Sequence, residues 1–473
     1  MRLFKWALLG ILMAMGSAMI YYLDHALPIG TGYSAKYVCS QVFLAGRDPD
    51  SVFQRDVLPT NALFHLVRPV VDYKNQSVTS TALGFWKPMT AVYRKGCGCT
   101  LAVGTDRGTL MAQTRGLRAP TPPPRNQPWP RGEAEGIGPL PPGVDPNELD
   151  RALDEFFAEP GPNAQRNTQA VVIVMGDHII AERYAPQFSR ETPMLGWSMS
   201  KSVTSALVGI LVGDGQLDLY TPAPVKEWQD PKDPRHPITL DMLLRMSSGL
   251  AFTEKYAPFK DATTMLYNST SMAAYAAAHP LAFPLDTHWS YSSGTTNILS
   301  GIVTRTLGNS LAKTQNFART RLFDKIGAES ALMEPDAQGG FVGSSYMFAT
   351  ARDWARFGLL MKNKGVWNGE QILPKGWVDY VTTPTPQAPQ GKYGGQFWLN
   401  AGAPHHPQDR LFPSLPRDIY YCGGFNGQIV AIVPSKDMVL VRLGVTHHKP
   451  DFSREWFIKR TLEAVTPKDN PSD

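Results

Sequence analysis

The chain has 473 residues, of which 43% are hydrophobic and 18% are charged, a balance typical of a globular protein with room for one large domain and additional segments. Its 46 basic and 41 acidic side chains leave a net charge of +5, and no block of Lys and Arg is long enough to follow a phosphate backbone. Nucleic acid is therefore not expected as a partner.

The N-terminus has the pattern of a membrane signal. Arg2 and Lys5 precede an uncharged stretch from Trp6 to Leu23. As a helix this stretch would span roughly 27 Å, close to the roughly 30 Å hydrocarbon core and longer than the apolar part of most signal peptides. We expect residues 1–24 to be an uncleaved anchor with its basic flank in the cytoplasm and the rest of the chain in the periplasm. Three small residues at positions 16–18 leave cleavage and secretion as the alternative.

Three of the four cysteines, Cys39, Cys97 and Cys99, lie in residues 25–117, which we expect to form a small N-terminal module. In an oxidising compartment Cys39 could pair with Cys97 or with Cys99. A zinc site is a competing interpretation, although the CGC spacing lacks the usual two-residue gap and no histidine pair accompanies it. Buried unpaired thiols are the third interpretation.

A segment rich in Pro and Gly, residues 118–147, follows the module and shows no apolar period. This composition predicts an extended linker or an arm that wraps around a neighbour. Residues 148–466 then form the predicted main domain, which begins with the helix-like stretch ELDRALDEFFAEP. Residues 467–473 are a short polar tail.

Two hairpin patterns lie at the two ends of the main domain. One runs from Val171 to Tyr184 around a Gly-Asp turn, and the other is QIVAIVPSKDMVLVRLGV with its turn at Pro434 to Asp437. The amphipathic stretch DFSREWFIKRTLEAV follows the second hairpin. Strands at both ends with helices between them predict an α+β domain in which an antiparallel sheet is closed by its two termini around a helical insertion.

The stretch GWSMSKSVTSALVGILVGDGQLDL places Ser198 and Lys201 three residues apart, on one face of a first helical turn. A serine hydroxyl is a poor nucleophile at neutral pH unless a neighbouring base takes its proton. At a helix N-terminus, Ser198 would lie beside free N–H groups and the positive end of the helix dipole. Lys201 would serve as the base if burial beside the apolar run from Ala206 to Val212 kept it neutral. The alternative is a polar helix cap with a solvated Lys201.

The region from about 150 to 466 resembles the serine β-lactamase and penicillin-binding-protein superfamily, on the side of class C β-lactamases, their esterase relatives and 6-aminohexanoate-dimer hydrolase. The resemblance rests on five strings in family order: GWSMSKS with its helix ending in GDGQLDL, ITLDMLLRMSSGL, YSSGTTNILSGIV, GSSYMFATARDWARFGLLMKNKGVWNGEQILP and YCGGFNGQIV. It implies the β-lactamase/transpeptidase-like fold, an antiparallel sheet flanked by helices with a helical subdomain.

The second family motif is matched by YSSG. The resemblance implies that the phenol of Tyr291 relays a proton between Ser198 and the leaving group while Lys201 holds it in place. Ser293 stands where class C β-lactamases carry asparagine, which implies a contact with substrate through a hydroxyl instead of an amide. The competing interpretation of Tyr291 is a half-buried aromatic residue with no chemical role.

The third family motif, Lys-Thr-Gly, aligns with Cys422, Gly423 and Gly424. The two glycines would let a scissile carbonyl lie against the strand edge, and the N–H of Phe425 would complete an oxyanion hole with that of Ser198. The lysine that helps to bind a β-lactam or peptide carboxylate is absent, which argues against an antibiotic-specific site. Cys422 is expected to be inert packing.

Two other catalytic arrangements compete with this one. His447 and His448 invite a Ser-His-Asp arrangement, but no sequence feature brings them to Ser198, and a surface or pocket-rim pair is the simpler interpretation. GWSMS also resembles the nucleophile elbow of α/β-hydrolases, but Ser200 occupies the position where that strained turn needs a second glycine.

We therefore expect a membrane-anchored serine hydrolase that is acylated on Ser198 and cleaves a small-molecule or peptide-like amide or ester outside the cytoplasm, with no metal or organic cofactor. The first alternative is a D-alanyl carboxypeptidase or β-lactamase. The second is a non-catalytic relative that binds peptidoglycan-like peptides or a partner protein. The combination of Ser198, Lys201 and Tyr291 argues against the second, because a binding module has no chemical need of all three.

Overall fold

The computed structural model describes residues 2–134, 140–161 and 164–466, with side chains from Phe4 onward. The predicted tail, residues 467–473, and part of the Pro-rich segment lie outside the described residues. The helices are α1 (Arg2–Phe43), α2 (Pro49–Val52), α3 (Arg107–Ala112), α4 (Pro146–Phe157), α5 (Ser200–Gly213), α6 (Leu240–Leu244), α7 (Asp261–Asn268), α8 (Met272–Ala277), α9 (Ser293–Thr306), α10 (Leu311–Ala318), α11 (Ala351–Lys362), α12 (Trp377–Val381) and α13 (Arg454–Val465). The strands are β1 (Val67–Asp72), β2 (Ser77–Ala82), β3 (Trp86–Arg94), β4 (Gly98–Leu101), β5 (Thr168–Met175), β6 (His178–Tyr184), β7 (Met194–Leu195), β8 (Leu332–Met333), β9 (Met347–Ala349), β10 (Val366–Trp367), β11 (Glu370–Gln371), β12 (Trp398–Leu399), β13 (Tyr420–Gly423), β14 (Ile429–Val433) and β15 (Met438–Gly444).

Helix α1 continues far beyond the apolar stretch that the sequence marked as an anchor. Side chains 4–22 are exposed, whereas most of those from Ala26 to Val42 are buried. By length and composition α1 is long and apolar enough to cross a membrane. The predicted anchor ends at residue 24, but the helix runs on through Pro28. Its second half packs against β2, β3 and β4, and this tertiary contact outweighs the lost backbone hydrogen bond.

The N-terminal module wraps a four-stranded antiparallel sheet, in the order β1-β2-β3-β4, around the second half of α1. A disulfide joins Cys39 of α1 to Cys99 of β4, which selects one of the two predicted pairings. Cys97 is buried with a free thiol, so one thiol remains in the module. This arrangement argues against a zinc site built on the three cysteines.

The described part of the Pro-rich segment before residue 135 packs against the main domain around Trp129. The indole of Trp129 is buried, and the Arg356 guanidinium donates to the carbonyls of Pro130 at 3.0 Å and Gly132 at 2.8 Å. Helix α4 begins at Pro146, slightly before the predicted end of the arm, because Asp145 caps the helix and proline is well suited to its first position.

The main domain is built on a six-stranded antiparallel sheet in the order β12-β13-β14-β15-β5-β6. Both predicted hairpins, β5-β6 and β14-β15, are present, and β15 pairs with β5, so the two ends of the domain meet in the middle of the sheet. Helices α4 and α13 cover one face, where Phe156 and Phe457 pack at 4.8 Å, and α11 packs against the other face. The predicted α+β architecture is thereby confirmed.

The helical insertion places the functional region. Helices α5 and α6 both pack against α9, and the turn that leads into α5 lies beside the end of the strand β13. Residues from the sheet edge, from the start of α5 and from the start of α9 therefore meet in one place.

Candidate active site

Ser198 lies in a short 3₁₀ turn, Trp197–Met199, that leads directly into α5. The predicted position at a helix N-terminus is therefore correct. The hydroxyl of Ser198 does not cap the helix, since Met199 is the N-cap and makes no side-chain cap. The Ser200 hydroxyl instead donates to the Trp197 carbonyl at 2.7 Å and accepts from the Met347 N–H at 3.1 Å, which fixes the turn.

Trp197 holds the nucleophile turn against the N-terminal module. Its φ of +48° lies in the left-handed region, which is strained for a tryptophan and must be held by its surroundings. Tyr33 and Tyr37 of α1 stack on its ring at centroid distances of 6.4 and 6.2 Å, and Tyr346 lies against it at 5.6 Å. The module is thus part of the support of Ser198, a relation that no local sequence pattern predicted.

Lys201 is buried, with 1% of its surface exposed, and points at Ser198. Its ammonium nitrogen donates to Ser198 Oγ at 3.1 Å, Ser293 Oγ at 3.0 Å and the Ser344 carbonyl at 2.9 Å. All three acceptors are uncharged oxygens, so none of them compensates directly for a buried positive charge. Burial consequently lowers the pKa of Lys201 to about 8, and the carboxylate of Glu254 opposes this change only in part.

The ring of Tyr291 lies beside the amine of Lys201. The Lys201 Nζ is 4.9 Å from its ring centroid, and Tyr393 and Trp398 pack on the ring at 5.8 and 5.3 Å. Burial and the Glu254 charge raise the pKa of Tyr291, while a hydrogen bond with Ser198 lowers it. The structure therefore brings together Ser198, Lys201 and Tyr291, which the sequence predicted as a catalytic group.

Glu254 is a residue of this site that sequence reasoning missed. It lies in the loop between α6 and α7, and its carboxylate accepts from the Ser293 hydroxyl at 2.6 Å and from the Ser293 N–H at 2.7 Å. Ser293 in turn accepts from Lys201. The local sequence TEKY has the composition of an exposed polar loop, so only the tertiary structure reveals that Glu254 reaches Lys201 through one hydroxyl.

The third motif, residues 422–424, lies beside the turn that carries Ser198. Gly423 ends the strand β13 opposite Ile429, and a side chain at Gly424 would overlap the Gly196 carbonyl. A glycine is required at position 424 for this close approach. The Phe425 N–H opens a 3₁₀ turn, so it has no partner within that turn and lies at the end of the edge that the sequence predicted to receive a scissile carbonyl.

A scan against protein families matches residues 149–463 to the family described as Beta-lactamase. The chain belongs to this family.

Other similarities agree with this assignment. The chain is 24% identical over 333 residues to 6-aminohexanoate-dimer hydrolase of Paenarthrobacter ureafaciens. The aligned region covers 63% of this chain and 79% of the relative. A Bacillus anthracis structure provisionally named 6-aminohexanoate-dimer hydrolase superimposes with a TM-score of 0.55 at 20% identity, over 76% of this chain and 94% of the other. The crystal structure of a family VIII carboxylesterase superimposes with a TM-score of 0.53 at 16% identity, over 70% of this chain and 98% of the other. The protein is therefore a serine hydrolase of the β-lactamase fold, as the sequence predicted.

Two departures from the β-lactamase motifs have different structural consequences. Cys422 is fully buried between neighbouring strands, and burial raises the pKa of its thiol to about 12, which agrees with an inert packing residue. Ser293 is also fully buried, and its hydroxyl is engaged by Lys201 and Glu254. Its predicted contact with substrate remains a prediction, and the contact seen in the structure is with Lys201.

The histidine pair His447 and His448 is the basis of the Ser-His-Asp alternative. His447 Nε2 lies 3.2 Å from the Arg55 carbonyl of the N-terminal module, and burial lowers the pKa of its imidazole. Among the hydrogen bonds of the described residues, none joins His447 or His448 to Ser198. The Ser-His-Asp alternative therefore has no geometric support.

Proposed function

We propose that the protein is a membrane-anchored hydrolase that cleaves an amide or ester bond through an acyl-enzyme on Ser198. The observation that carries this proposal is the 3.1 Å contact between Ser198 Oγ and the buried amine of Lys201, whose other acceptors are uncharged oxygens. Such a lysine loses its proton near neutral pH and can accept one from the serine hydroxyl.

The geometry supports a reaction in two stages. Lys201 takes the Ser198 proton as Oγ bonds to the substrate carbonyl carbon, and the N–H groups of Ser198 and Phe425 receive the resulting oxyanion. The C–N or C–O bond then breaks as Tyr291 passes a proton to the leaving amine or alcohol. In the second stage water attacks the acyl carbon, gives up its proton to the same groups, and releases the acid and free Ser198.

Several features favour linear amides and esters over β-lactams. Cys422 replaces the lysine of the third motif, and a serine replaces the amide of the second. A D-alanyl carboxypeptidase or β-lactamase would use the lysine to help bind a substrate carboxylate. The similar proteins include a 6-aminohexanoate-dimer hydrolase and a carboxylesterase, which are amide and ester hydrolases by name.

The exposed apolar part of α1 supports a membrane location. Its side chains are solvent-exposed over residues 4–22, and a basic flank precedes it. We infer an uncleaved anchor with the catalytic domain on the periplasmic side, as proposed from the positive-inside rule. Removal of the apolar part by a signal peptidase is the alternative, and the size of the mature N-terminus distinguishes the two by mass spectrometry.

Covalent labelling tests the assignment of Ser198. A fluorophosphonate probe should add one phosphonyl group to the wild type and none to Ser198→Ala, as measured by intact mass, because a serine activated by a base reacts whereas a capping serine does not. An unlabelled but folded wild type would overturn the proposal.

The preference for linear esters over β-lactams is tested on the same preparation. The kcat/KM for a p-nitrophenyl ester should exceed that for nitrocefin by about a hundredfold, or about 2.7 kcal/mol. Equal efficiencies would favour the β-lactamase alternative.

A further inference from the structure

A cavity of about 130 Å³ lies beside α1, immediately after the exposed apolar stretch. We call it the α1 cavity. This volume is close to that of an apolar cavity of about 150 Å³ that holds a benzene-sized ligand. Its walls come from α1, from the N-terminal module and from the catalytic domain, and they are mostly apolar; they include Leu27, Gly30, Phe64, Trp197, Tyr267 and Phe425.

The α1 cavity shares a wall with the proposed catalytic group. Trp197 directly precedes Ser198, and Phe425 carries the N–H assigned to the oxyanion hole. The Phe425 ring is 38% exposed and packs on Trp197 at 5.7 Å and on Tyr256 at 5.6 Å. Through Trp197 and Phe425 the α1 cavity therefore adjoins the turn that carries Ser198, although Ser198 itself does not line it.

One side of the α1 cavity lies close to the end of the apolar stretch. Ala257 and Pro258 line the cavity, and the next residue, Phe259, packs on α1. Its ring centroid lies 6.1 Å from that of Tyr21 and 5.8 Å from that of Tyr22. Tyrosines of this kind are enriched where membrane-spanning helices leave the bilayer.

A second element reaches the same level of α1. Lys87 of β3 forms an ion pair with Asp24 of α1 at 2.7 Å, which places the β2-β3 turn beside the end of the apolar stretch. The turn exposes Leu83 and Phe85, by 55% and 76%. Exposed apolar side chains beside a membrane-spanning helix are suited to insertion in the lipid interface.

We propose that the α1 cavity binds the acyl chain of an ester or amide that resides in the membrane and so brings its carbonyl to Ser198. This inference rests on the proposed function and names its substrate class. Ser198 Oγ bonds to the acyl carbon, the C–O or C–N bond breaks, and the alcohol or amine leaves with a proton. Water then cleaves the acyl-enzyme and releases the free fatty acid.

The chain-length dependence of ester hydrolysis tests this proposal. The full-length protein in lipid nanodiscs is assayed with p-nitrophenyl acetate, butyrate and octanoate. Complete burial of the chain would raise kcat/KM about fourfold per methylene, the equivalent of about 0.8 kcal/mol. Because the chain is only partly transferred from water on binding, we expect octanoate to exceed acetate by about tenfold or more in the wild type.

Two matched glycines of α1 provide the variants. A side chain at Gly30 would extend into the α1 cavity, where Phe64 and Val67 are already within ordinary contact distance, whereas one at Gly16 would meet no atom within 4 Å. Gly30→Leu should reduce the octanoate-to-acetate ratio to within about twofold of one, and Gly16→Leu should leave the ratio at its wild-type value. Leu63→Trp, which fills the cavity from the module side, is the second variant if Gly30→Leu fails to fold.

The possible results separate the two proposals. Ser198-dependent hydrolysis without any preference for octanoate would overturn the acyl-chain inference and leave the proposed function intact. A preference that survives in Gly30→Leu and Leu63→Trp would also overturn it, because the chain would then bind elsewhere. No Ser198-dependent hydrolysis of any ester would overturn the proposed function itself.

Supply from the membrane is tested with p-nitrophenyl palmitate in phosphatidylcholine vesicles. Placing this ester in the same vesicles as the protein should give hydrolysis about tenfold faster than placing it in separate vesicles, since an inserted chain must otherwise cross water. Equal rates in both arrangements would overturn the claim that the substrate enters from the membrane.

Discussion

Lys201 is the residue whose protonation state should control the reaction rate. Burial lowers the pKa of Lys201 to about 8, so the amine is protonated below this pH and can accept a proton above it. We expect kcat/KM for a p-nitrophenyl ester to rise about tenfold per pH unit below 8 and to level off above it. Stopped-flow or plate assays from pH 6 to 10, with Ser198→Ala as the blank, measure this profile. A rate that falls as the pH rises through 8 would mean that the protonated amine is the active form.

Glu254 should act as a positioning residue for Lys201 through Ser293. Glu254→Gln removes the negative charge that raises the pKa of Lys201, and it replaces one of the two carboxylate oxygens that accept from Ser293 by an NH2 group that can only donate. We predict a kcat about tenfold lower and a pH midpoint shifted below that of the wild type. The pH profile of kcat/KM is the measurement.

Glu254→Asp is the matched control, because it keeps the charge and shortens the side chain. Its rate should fall while its pH midpoint stays near that of the wild type. If Glu254→Gln lowered the rate without moving the midpoint, Glu254 would have a purely structural role.

At the scale of elements, a buried charged cluster fastens the N-terminal module to the catalytic domain. Lys36 of α1 forms an ion pair with Glu334, and both side chains are almost fully buried. Glu334 also accepts from the Ser40 hydroxyl at 2.9 Å and from the Cys99 N–H at 2.6 Å. The carboxylate therefore joins α1, β4 and the catalytic domain in one network.

Breaking this pair should destabilise the protein strongly. Lys36→Met leaves Glu334 buried without its cation, so the free energy of unfolding should fall by about 3–5 kcal/mol, and adding Glu334→Leu should recover part of the loss. Lys87→Met is the control, since it removes the exposed pair with Asp24 and should cost less than about 1 kcal/mol. Urea unfolding followed by tryptophan fluorescence compares the variants. Equal losses for Lys36→Met and Lys87→Met would contradict the assignment.

The elements differ in how far the sequence could specify them. The two hairpins and α13 are local patterns of apolar alternation, turn residues and helical period, and each lies where these patterns placed it. The full length of α1 could not be predicted in this way, because its second half is stabilised by strands that come later in the chain. Pro28 and the end of the apolar stretch favoured an earlier stop.

The residues of the candidate site also differ in whether local sequence could predict them. Ser198 and Lys201 are related by helical spacing and could be paired from sequence, and Tyr291 was found through a recognisable string. Glu254 and the tyrosines of α1 reach the site only by tertiary packing across long sequence separations. The hydrogen bonds of Ser293 with Lys201 and Glu254 could not be predicted either, because a motif gives the position of a residue but not the direction in which its hydroxyl bonds.

At the scale of the whole molecule, the two halves of α1 should be separable by truncation. Side chains 4–20 are exposed to solvent. In the second half of the helix, Tyr33 and Tyr37 stack on Trp197 beside Ser198, and Cys39 forms the disulfide of the module. A secreted form lacking residues 1–20 should be soluble and should hydrolyse p-nitrophenyl acetate within about twofold of the full-length rate. A form lacking residues 1–43 should lose activity and unfold at lower temperature.

Both truncated forms are compared by ester hydrolysis and thermal melting. The expected order would be contradicted if the shorter deletion abolished activity or if the longer deletion did not. Retained activity without α1 would show that Trp197 keeps its strained backbone without the two tyrosines.

The unbroken course of α1 also fixes the distance between the apolar stretch and the turn that carries Ser198. Tyr33, which touches the residue before the nucleophile, follows Leu23 by ten residues in one continuous helix. At a rise of 1.5 Å per residue, this contact lies only about 15 Å beyond the end of the apolar stretch. A flexible tether would let the domain search a wide volume, whereas a helix that passes from the bilayer into the protein core acts as a fixed spacer. With the anchored topology proposed above, Ser198 would be held in a thin layer above the membrane, and bonds that lie farther out would be beyond its reach.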